Sequence, residues 1–224
     1  MSKIVIFGAG KIADVAYHQL KYDSPHEVVA FAVDGEYIYQ KEKWGLPVIA
    51  FNDILDTHPP DDFKMLVAVG YQDLNRFRAR KYEEAKAKGY ELISYISSRA
   101  SNFSNIPIGD NCLVLENTVL QPCTTMGNNV FFWNGNHLGH HARIDDDCYG
   151  AGQVVISGSA VIEPYCFLGV NATIGHEVTI GRESFIGANA LVTKSATPKS
   201  VYVVGDTPKF RLDSDSFLKL TKMK

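Results

Sequence analysis

The sequence predicts two domains of different fold class, an α/β N-terminal Rossmann-like half domain followed by an all-β parallel β-helix. The first prediction depends on a short apolar run, residues 3–7, that ends in a glycine turn and precedes an amphipathic stretch. The second depends on a six-residue repeat from Ile108 to Val192, in which every sixth residue is apolar except Gly150. Because neither a helix nor a simple strand has this period, the repeat indicates stacked hexapeptide coils.

Each coil of such a β-helix holds three short strands, so equivalent positions lie eighteen residues apart and stack at about 4.8 Å. Phe132 and Gly150 are one coil apart on the inward column, and we expect the ring to fill the space that the glycine leaves. Cys112, Cys148 and Cys166 fall on small inward positions. There, reduced thiols act as compact apolar groups, and neither a disulfide nor a metal site is expected.

The composition is that of an ordinary globular protein, with 224 residues, 46% hydrophobic and 21% charged, and a net charge of −3. This balance gives no reason to expect nucleic acid as a partner. The N-terminal apolar run is too short for a signal peptide or a membrane span, so we expect no membrane association and a cytoplasmic location.

The N-terminal domain begins with a strand–turn–helix unit. A strand over residues 3–7 ends in Gly8-Ala9-Gly10-Lys11-Ile12-Ala13, and a helix is predicted over Ile12 to Tyr22. This turn places backbone N–H groups, with Gly8, Gly10 and Lys11, toward a phosphate. The next strand, Val28 to Val33, ends in Asp34, which is placed to meet ribose hydroxyls. The alternative is a tight strand-to-helix turn without a ligand.

The remaining elements complete only half of a full dinucleotide-binding fold. They are predicted as Leu46–Val48, a short helix over 52–56, a strand over 64–69 that ends in Gly70 and Tyr71, a helix over 73–88 and a strand over 91–96. The missing half favours a mononucleotide or nucleotide-sugar over NAD. Arg76 and Arg78 either reach a phosphate or form a solvated helix face.

Composition changes mark the predicted domain boundaries. Residues 1–97 form the nucleotide-sugar-binding domain, and the polar segment 98–107 is a linker. Residues 108–197 form the β-helix, and residues 198–224 form a C-terminal loop with a short helix over 214–220.

The eighteen-residue spacing between equivalent positions of successive coils separates the histidines of the β-helix. His140 and His176 share one corner and are two coils apart, with Gly158 between them. A histidine that projects from a corner beside an open notch suits a general base next to an extended ligand. The alternative is that these are surface histidines without a task, which is the interpretation given to His137 on its strand.

The whole chain resembles the left-handed β-helix acyltransferases, and more narrowly the bacterial sialic-acid O-acetyltransferase type, which includes N-acetyltransferases of nucleotide-linked 4-amino-4,6-dideoxy sugars. The stretch Asn136-His137-Leu138-Gly139-His140-His141 matches the catalytic stretch of that family. The resemblance implies a left-handed coil, His140 as the catalytic histidine and Gly158 as the glycine whose N–H contacts the thioester carbonyl. It also implies that the glycine turn binds the nucleotide-sugar and that Gly205 to Lys209 lies near coenzyme A.

The chain departs from the family at three positions. The family often has an acidic residue where this chain has His141, a second histidine where it has Tyr149, and a histidine where it has Ile12. His141 stays a catalytic candidate, and Asn136 and Tyr149 stay candidates for contact with the substrate.

The resemblance implies direct acetyl transfer within a ternary complex, with acetyl-CoA as co-substrate and no metal. His140 would take the proton of the acceptor, and the Gly158 N–H would hold the oxyanion. A homotrimer is implied, with coenzyme A between neighbouring β-helices, where Gly158, His176, Lys194 and Lys209 are candidate contacts. The product would serve bacterial surface glycans such as lipopolysaccharide.

Three other functions stay open at this point. N-acetylation is favoured, but O-acetylation of a sugar is not excluded. A zinc hydratase of the carbonic anhydrase kind uses the same helix, and His140 and His176 have the spacing of two of its ligands. Its third ligand position is Gly181 here, and two ligands do not make a tetrahedral catalytic site. A non-catalytic binding protein is the last alternative.

Overall fold

The computed structural model describes residues 1–103 and 106–222. Ser104 and Asn105 of the predicted linker, and Met223 and Lys224 of the predicted C-terminal segment, lie outside the described residues. No helix in the described ranges is long and apolar enough to cross a membrane.

The N-terminal domain contains a five-stranded sheet in the order β3-β4-β2-β1-β5. Its strands are β1 Lys3–Phe7, β2 Glu27–Val33, β3 Glu42–Lys43, β4 Leu46–Ala50 and β5 Phe63–Val67. All neighbours pair in parallel except the hairpin between β3 and β4. The buried apolar runs of β1, β2 and β5 form the centre of this sheet, as expected for parallel strands covered on both faces.

Three helices belong to this domain: α1 Lys11–Asp23, α2 Ile54–Thr57 and α3 Arg76–Ala87. Short 3₁₀ turns cover Gly35–Tyr37 and Phe51–Asp53. Helix α3 begins three residues later than the sequence predicted, because Asp73, Leu74 and Asn75 have φ values of 49°, 48° and 68°. Backbone in the left-handed region cannot start a right-handed helix.

The second domain is a parallel β-helix of three sheets built from two-residue strands. The first sheet holds β6 Tyr95–Ile96, β8 Leu113–Val114, β11 Phe131–Phe132, β14 Tyr149–Gly150, β17 Phe167–Leu168, β20 Phe185–Ile186 and β22 Val201–Tyr202. The second holds β7 Ser101–Asn102, β9 Val119–Leu120, β12 His137–Leu138, β15 Val155–Ile156, β18 Thr173–Ile174 and β21 Leu191–Val192. The third holds β10 Thr125–Met126, β13 Arg143–Ile144, β16 Val161–Ile162 and β19 Thr179–Ile180.

The eighteen-residue register is confirmed, since Phe131 pairs with Tyr149 and His137 pairs with Val155. At its corners one residue per hexad lies in the left-handed region, with φ between 52° and 63° from Asn111 to Asn189 except for Gly135 at 72°. These corners turn the chain from one sheet to the next.

The β-helix starts earlier than the six-residue repeat of apolar residues predicted. Leu92 still bridges to the α/β sheet, but Tyr95–Ile96 already pairs with β8. Ser101 donates its backbone N–H to Thr118 at 2.8 Å, so part of the predicted linker forms a strand of the β-helix. Asn102 lies six residues before Ile108, at the position that is apolar in the later hexads. Its polar side chain therefore interrupted the pattern of apolar residues in the sequence.

The interior of the β-helix is packed as the eighteen-residue spacing predicted. A Cβ added at Gly150 would lie 2.5 Å from Phe132 Cδ2, so the ring fills the space above the glycine. Cys112, Cys148 and Cys166 are buried free thiols, and burial raises the pKa of Cys112 to about 12. These three side chains therefore lie in the core, at the inward positions that the register predicted.

The two domains share a core, because the outer face of the first β-helix sheet packs on the α/β domain. Its side chains Leu113, Phe131, Tyr149 and Phe167 belong to one apolar cluster with residues of β1, β2 and α1. Residues on the outside of one domain thus become interior residues of the whole chain.

Arg78 of α3 lies at this interface and is fully buried. Its guanidinium donates to the carbonyls of Gly70, Asn129, Asp147 and Cys148 at 3.0–3.3 Å, and it lies 4.5 Å from the centre of the Phe131 ring. Burial lowers the pKa of Arg78 to about 10, so the side chain stays charged at neutral pH. Arg78 is neither a phosphate ligand nor part of a solvated face, and Arg76 pairs with Glu183 at 2.7 Å.

Gly150→Leu should destabilise the protein by about 1–3 kcal/mol, because the new side chain overpacks against Phe132. Chemical unfolding of both proteins measures this difference. Adding Phe132→Ala to the variant should restore part of the loss, as expected for two residues in contact. An unchanged free energy of unfolding in Gly150→Leu would contradict the stacking.

Arg78→Met should lower the free energy of unfolding by about 3–5 kcal/mol, since it leaves several buried carbonyls without a donor. The matched control is Arg80→Met on the exposed side of the same helix, for which a change within about 0.5 kcal/mol is expected. Similar losses in the two variants would show that Arg78 does not join the domains.

Candidate functional site

The imidazole of His140 occupies the notch that Gly158 leaves one coil further on. His140 follows strand β12 at the corner between the second and third sheets and is exposed. A Cβ added at Gly158 would lie 2.6 Å from Cε1 and 2.7 Å from Nε2 of His140. The notch expected beside the histidine is therefore the place where its own ring sits.

His176 lies at the same corner two coils after His140, as the spacing predicted. The two ring centroids are 6.2 Å apart, which is possible because no side chain at Gly158 separates them. His176 is exposed, and its Nε2 lies 3.5 Å from a carboxylate oxygen of Glu177. The structure thus brings together His140, Gly158 and His176.

Two further residues hold His140 in place. His141 brings its Nδ1 to 3.2 Å from His140 Nδ1, with the rings nearly perpendicular at 83°. Gln121 accepts the backbone N–H of His140 at its Oε1, at 2.8 Å. Gln121 was not predicted from the sequence, although the eighteen-residue spacing places it one coil before Gly139, next to the histidine.

No group of three His, Cys, Asp or Glu side chains in the described part of the chain is arranged to hold a metal ion. The zinc alternative requires a third ligand at position 181. A Cβ there would lie 2.4 Å from the backbone N of Pro198, so the position is filled by the adjacent chain. No zinc site is formed by His140 and His176 with this position.

A second candidate site lies at the glycine turn after β1. Gly8 has φ 120°, and a Cβ there would lie 2.6 Å from the carbonyl oxygen of Ala68, so only glycine fits. Gly10 caps α1 without a side chain over its N-terminal N–H groups. A cavity of about 330 Å³ adjoins this turn, and the residues that line it are Gly10, Lys11, Ile12, Ala68, Val69, Gly70 and Gln72.

The cavity joins three of the residues singled out in the sequence, namely Gly10, Lys11 and Gly70. Open N–H groups at a helix N-terminus beside a lysine can hold an anion such as a phosphate. Gln72 also lines the cavity and was missed, because no sequence motif marks an amide in the loop after β5.

Asp34 lies at the end of β2, as predicted, but its carboxylate is already paired. Lys81 of α3 donates to Asp34 Oδ1 at 2.8 Å and to Glu84 at 2.7 Å. Although burial opposes the charge of Lys81, these hydrogen bonds raise its pKa above the ordinary value. One oxygen of Asp34 is therefore occupied by the protein.

Two predicted substrate contacts have structural roles instead. Asn136 is 1% exposed, and its Oδ1 accepts the backbone N–H of Val154 at 2.6 Å. Tyr149 is 4% exposed and stacks on Phe167 within the domain interface, where burial raises the pKa of its hydroxyl. The structure does not support contact of either with a substrate. Tyr71, which is half exposed, covers Tyr149 with ring centroids 5.1 Å apart.

The predicted coenzyme A contacts lie on exposed surface. Lys194 is one coil after His176 at the same corner, and Lys209 lies in an extended tail. Helix α4, Ser214–Thr221, follows this tail and has no buried residue, and no described residue after Ala196 is buried. Within one chain, therefore, the tail is not packed against the histidine corner.

Comparisons with known proteins support the fold. Residues 159–194 match the family model described as "Bacterial transferase hexapeptide (six repeats)". No curated protein matches the chain in sequence.

Several solved structures are similar over nearly their whole length. A variant of GDP-perosamine N-acetyltransferase from Caulobacter crescentus, in complex with CoA and GDP-perosamine, has a TM-score of 0.82 at 21% identity, and the match covers 92% of this chain and 98% of that one. The acetyltransferase domain of PglB from Neisseria gonorrhoeae, with acetyl coenzyme A, has 0.76 at 24%, covering 88% and 92%. WeeI from Acinetobacter baumannii has 0.73 at 22%, covering 92% and 97%.

These likenesses extend over both domains in the same order. They confirm the predicted fold class, an α/β half domain followed by a left-handed parallel β-helix. The chain therefore has the fold of these solved structures.

Gly158→Ala should displace the His140 ring with little effect on folding, because an exposed side chain can swing away from the new methyl group. His140 is the catalytic base that the sequence predicts, and a misplaced catalytic group costs on the order of 100-fold in rate. We expect thiol release from acetyl-CoA to fall by that order, with a free energy of unfolding within about 1 kcal/mol. Gly152→Ala is the matched control, since a Cβ there meets its nearest atom at 3.5 Å. Equal activity in both variants would contradict the packing of His140 on Gly158.

Proposed function

We propose that this protein is an acetyl-CoA-dependent N-acetyltransferase that acts on a nucleotide-linked amino sugar. The observation that carries the proposal is the His140 imidazole in the space beside Gly158, with its Nε2 2.7 Å from where a Cβ of residue 158 would lie. This arrangement combines a proton acceptor with a potential oxyanion donor at one point. The likeness to GDP-perosamine N-acetyltransferase, which was solved with CoA and GDP-perosamine, supports the same chemistry.

The proposed reaction is a direct transfer. The amine nitrogen of the sugar attacks the thioester carbonyl carbon, while His140 Nε2 takes a proton from that nitrogen. The carbonyl electron pair moves to oxygen, where the Gly158 N–H stabilises it. The tetrahedral intermediate then collapses, the C–S bond breaks, and the proton on His140 passes to the departing sulfur.

The acceptor would bind at the glycine turn, in the domain of residues 1–97. Gly8, Gly10 and Lys11 would contact the phosphates, with Gly70, Tyr71 and Asp34 nearby. The cavity beside this turn supports that assignment, because it combines open N–H groups with a lysine. Ala9 and Ile12 pack against the same apolar core as Trp133 and Ala151 of the β-helix, so the turn takes part in the core that the two domains share.

The acetyl donor would bind along the corner of the β-helix domain, residues 108–197, where Gly158, His176 and Lys194 follow His140 at successive coils. We assign Lys209 to the same ligand from a neighbouring chain in a homotrimer. Support for such an assembly comes from Val155 and Leu191, which are 39% and 66% exposed on the outer face of the second sheet. Exposed apolar side chains on the same open face of a sheet favour contact with another chain. The proposed setting is cytoplasmic synthesis of surface glycans such as lipopolysaccharide.

His140→Ala should lower kcat by about 10²–10⁴-fold, the usual contribution of a general base. Acetyl-CoA affinity should stay within about twofold, because the substitution leaves the rest of the corner in place. Thiol release with a panel of nucleotide-sugars measures kcat, and calorimetry measures affinity. The matched control is His137→Ala on strand β12, for which wild-type rates are expected.

The panel should pair each nucleotide-linked amino sugar with its hydroxyl counterpart, and mass spectrometry should locate the acetyl group. Acetylation of the hydroxyl sugars alone would replace N-acetylation by O-acetylation. Full activity of His140→Ala, with loss only in His141→Ala, would refute the assignment of the base. Absence of thiol release with every sugar would favour a binding protein.

A further inference from the structure

The side-chain amide of Gln121 makes one contact with the protein and leaves its N–H donors open. Its Oε1 accepts the backbone N–H of His140 at 2.8 Å. Because a backbone N–H can only donate, this contact fixes which end of the amide is oxygen and which is nitrogen. Nε2, with two N–H donors, has no hydrogen-bond partner in the part of the chain that the structure describes, and the residue is half-buried.

Three hydrogen bonds hold this residue in place. Besides the contact with His140, the backbone N–H of Gln121 donates to the Leu138 carbonyl at 3.0 Å. The Gln121 carbonyl accepts the Thr124 hydroxyl at 2.8 Å. A donor that is fixed before a ligand arrives loses little conformational entropy on binding. Nε2 of Gln121 is therefore a preorganised donor beside His140.

Holding the backbone of a corner does not require an amide. Glu163 follows strand β16 as Gln121 follows β9, and its Oε2 accepts the backbone N–H of Arg182 at 2.8 Å. In both cases the side chain binds the backbone of the residue nineteen positions later. A carboxylate, which has no donor, thus performs the same holding role at another corner. The N–H donors of Gln121 are not needed for that role and are free for a ligand.

Gln121 and Gly158 lie on opposite sides of His140 along the axis of the β-helix. Strand β9, which precedes Gln121, pairs with one edge of β12, and β15, which precedes Gly158, pairs with the other. The imidazole fills the space on the Gly158 side, and the coils beyond it carry the residues proposed for the acetyl donor. The acceptor has to reach the same ring without displacing that donor. Its open approach is therefore the preceding coil, where Gln121 lies.

We infer that Gln121 is a specificity-determining residue for the acceptor, in which Nε2 donates to the hydroxyl on the sugar carbon next to the one that bears the amine. The inference rests on the proposed function, since it takes the reacting amine to lie at His140 Nε2. In an amino sugar, the hydroxyl of a neighbouring carbon is the polar group nearest to the amine. A donor beside the backbone of His140 is thus placed to bind that hydroxyl while the ring binds the amine. The acceptor class narrows to amino sugars that carry this hydroxyl.

The test compares each nucleotide-linked 4-amino sugar of the panel with its 3-deoxy counterpart, which lacks the hydroxyl next to the amine. The wild type should use the 3-deoxy sugar about 5- to 10-fold less well in kcat/KM, the usual effect of one hydrogen bond between uncharged groups. In Gln121→Ala the two sugars should differ by less than about twofold. The matched control is Gln153→Ala, at an exposed glutamine on another corner, which should keep the wild-type ratio.

The ratio of the two sugars separates a contact with substrate from a structural role. Loss of the contact with the His140 N–H lowers kcat for both sugars by the same factor, so this effect cancels in the ratio. The KM for acetyl-CoA should stay within about twofold in Gln121→Ala, because the Gly158 side of the corner is unchanged. A wild-type ratio near one, or an equal ratio in the wild type and Gln121→Ala, would overturn the inference.

Calorimetry with the same two sugars, without acetyl-CoA, distinguishes this inference from the proposed function. The difference in affinity between the sugars should also disappear in Gln121→Ala. If that difference is present in the wild type and lost in the variant, but no acetyl group is transferred, the proposed function fails and the contact with the acceptor stands. If acetyl transfer occurs without such a difference, only the inference fails. Absence of binding by every sugar would overturn both.

Discussion

The stacking of His140, Gly158 and His176 depends on the parallel hydrogen bonding that aligns residues eighteen positions apart. Because each coil repeats the same triangle, the side chain that Gly158 lacks becomes the room for the His140 ring, and His176 comes within 6.2 Å. The left-handed corner at His141 turns its ring toward the same point. A shift of register by one residue would exchange inward and outward side chains and remove all of these contacts.

The second constraint is the polar connection between the domains. Asn111 accepts the backbone N–H of Val67 at 2.7 Å and donates to Asn129, which in turn donates to Asp147. This ladder runs along one corner of the β-helix, and Arg78 binds the carbonyls beside it. Buried polar groups with all partners in place favour one arrangement over others. The glycine turn is therefore held in a fixed relation to the β-helix.

Several elements were predictable because their signals are local and periodic. The six-residue repeat of apolar residues determined the register of the β-helix strands, and the strand–glycine–helix pattern located the turn at Gly8. Asn102 shows where that reasoning stops, since a polar side chain on an inward position hid a strand of the β-helix. Asp34 shows a second limit, because the Lys81 that occupies its carboxylate is far away in the chain. Asn136 and Tyr149 lie on motif positions, yet their burial assigns them to packing.

The sequence by itself determined the fold class, the coil register and the corner shared by His140, Gly158 and His176, because a period of six depends only on the order of residues. The tertiary structure decided which side chains at those positions are free. It buried Arg78 and Tyr149, paired Asp34 with Lys81, and brought the Nδ1 atoms of His140 and His141 to 3.2 Å. Burial and hydrogen-bond partners depend on contacts between distant segments and on ring rotation, which no spacing along the chain encodes.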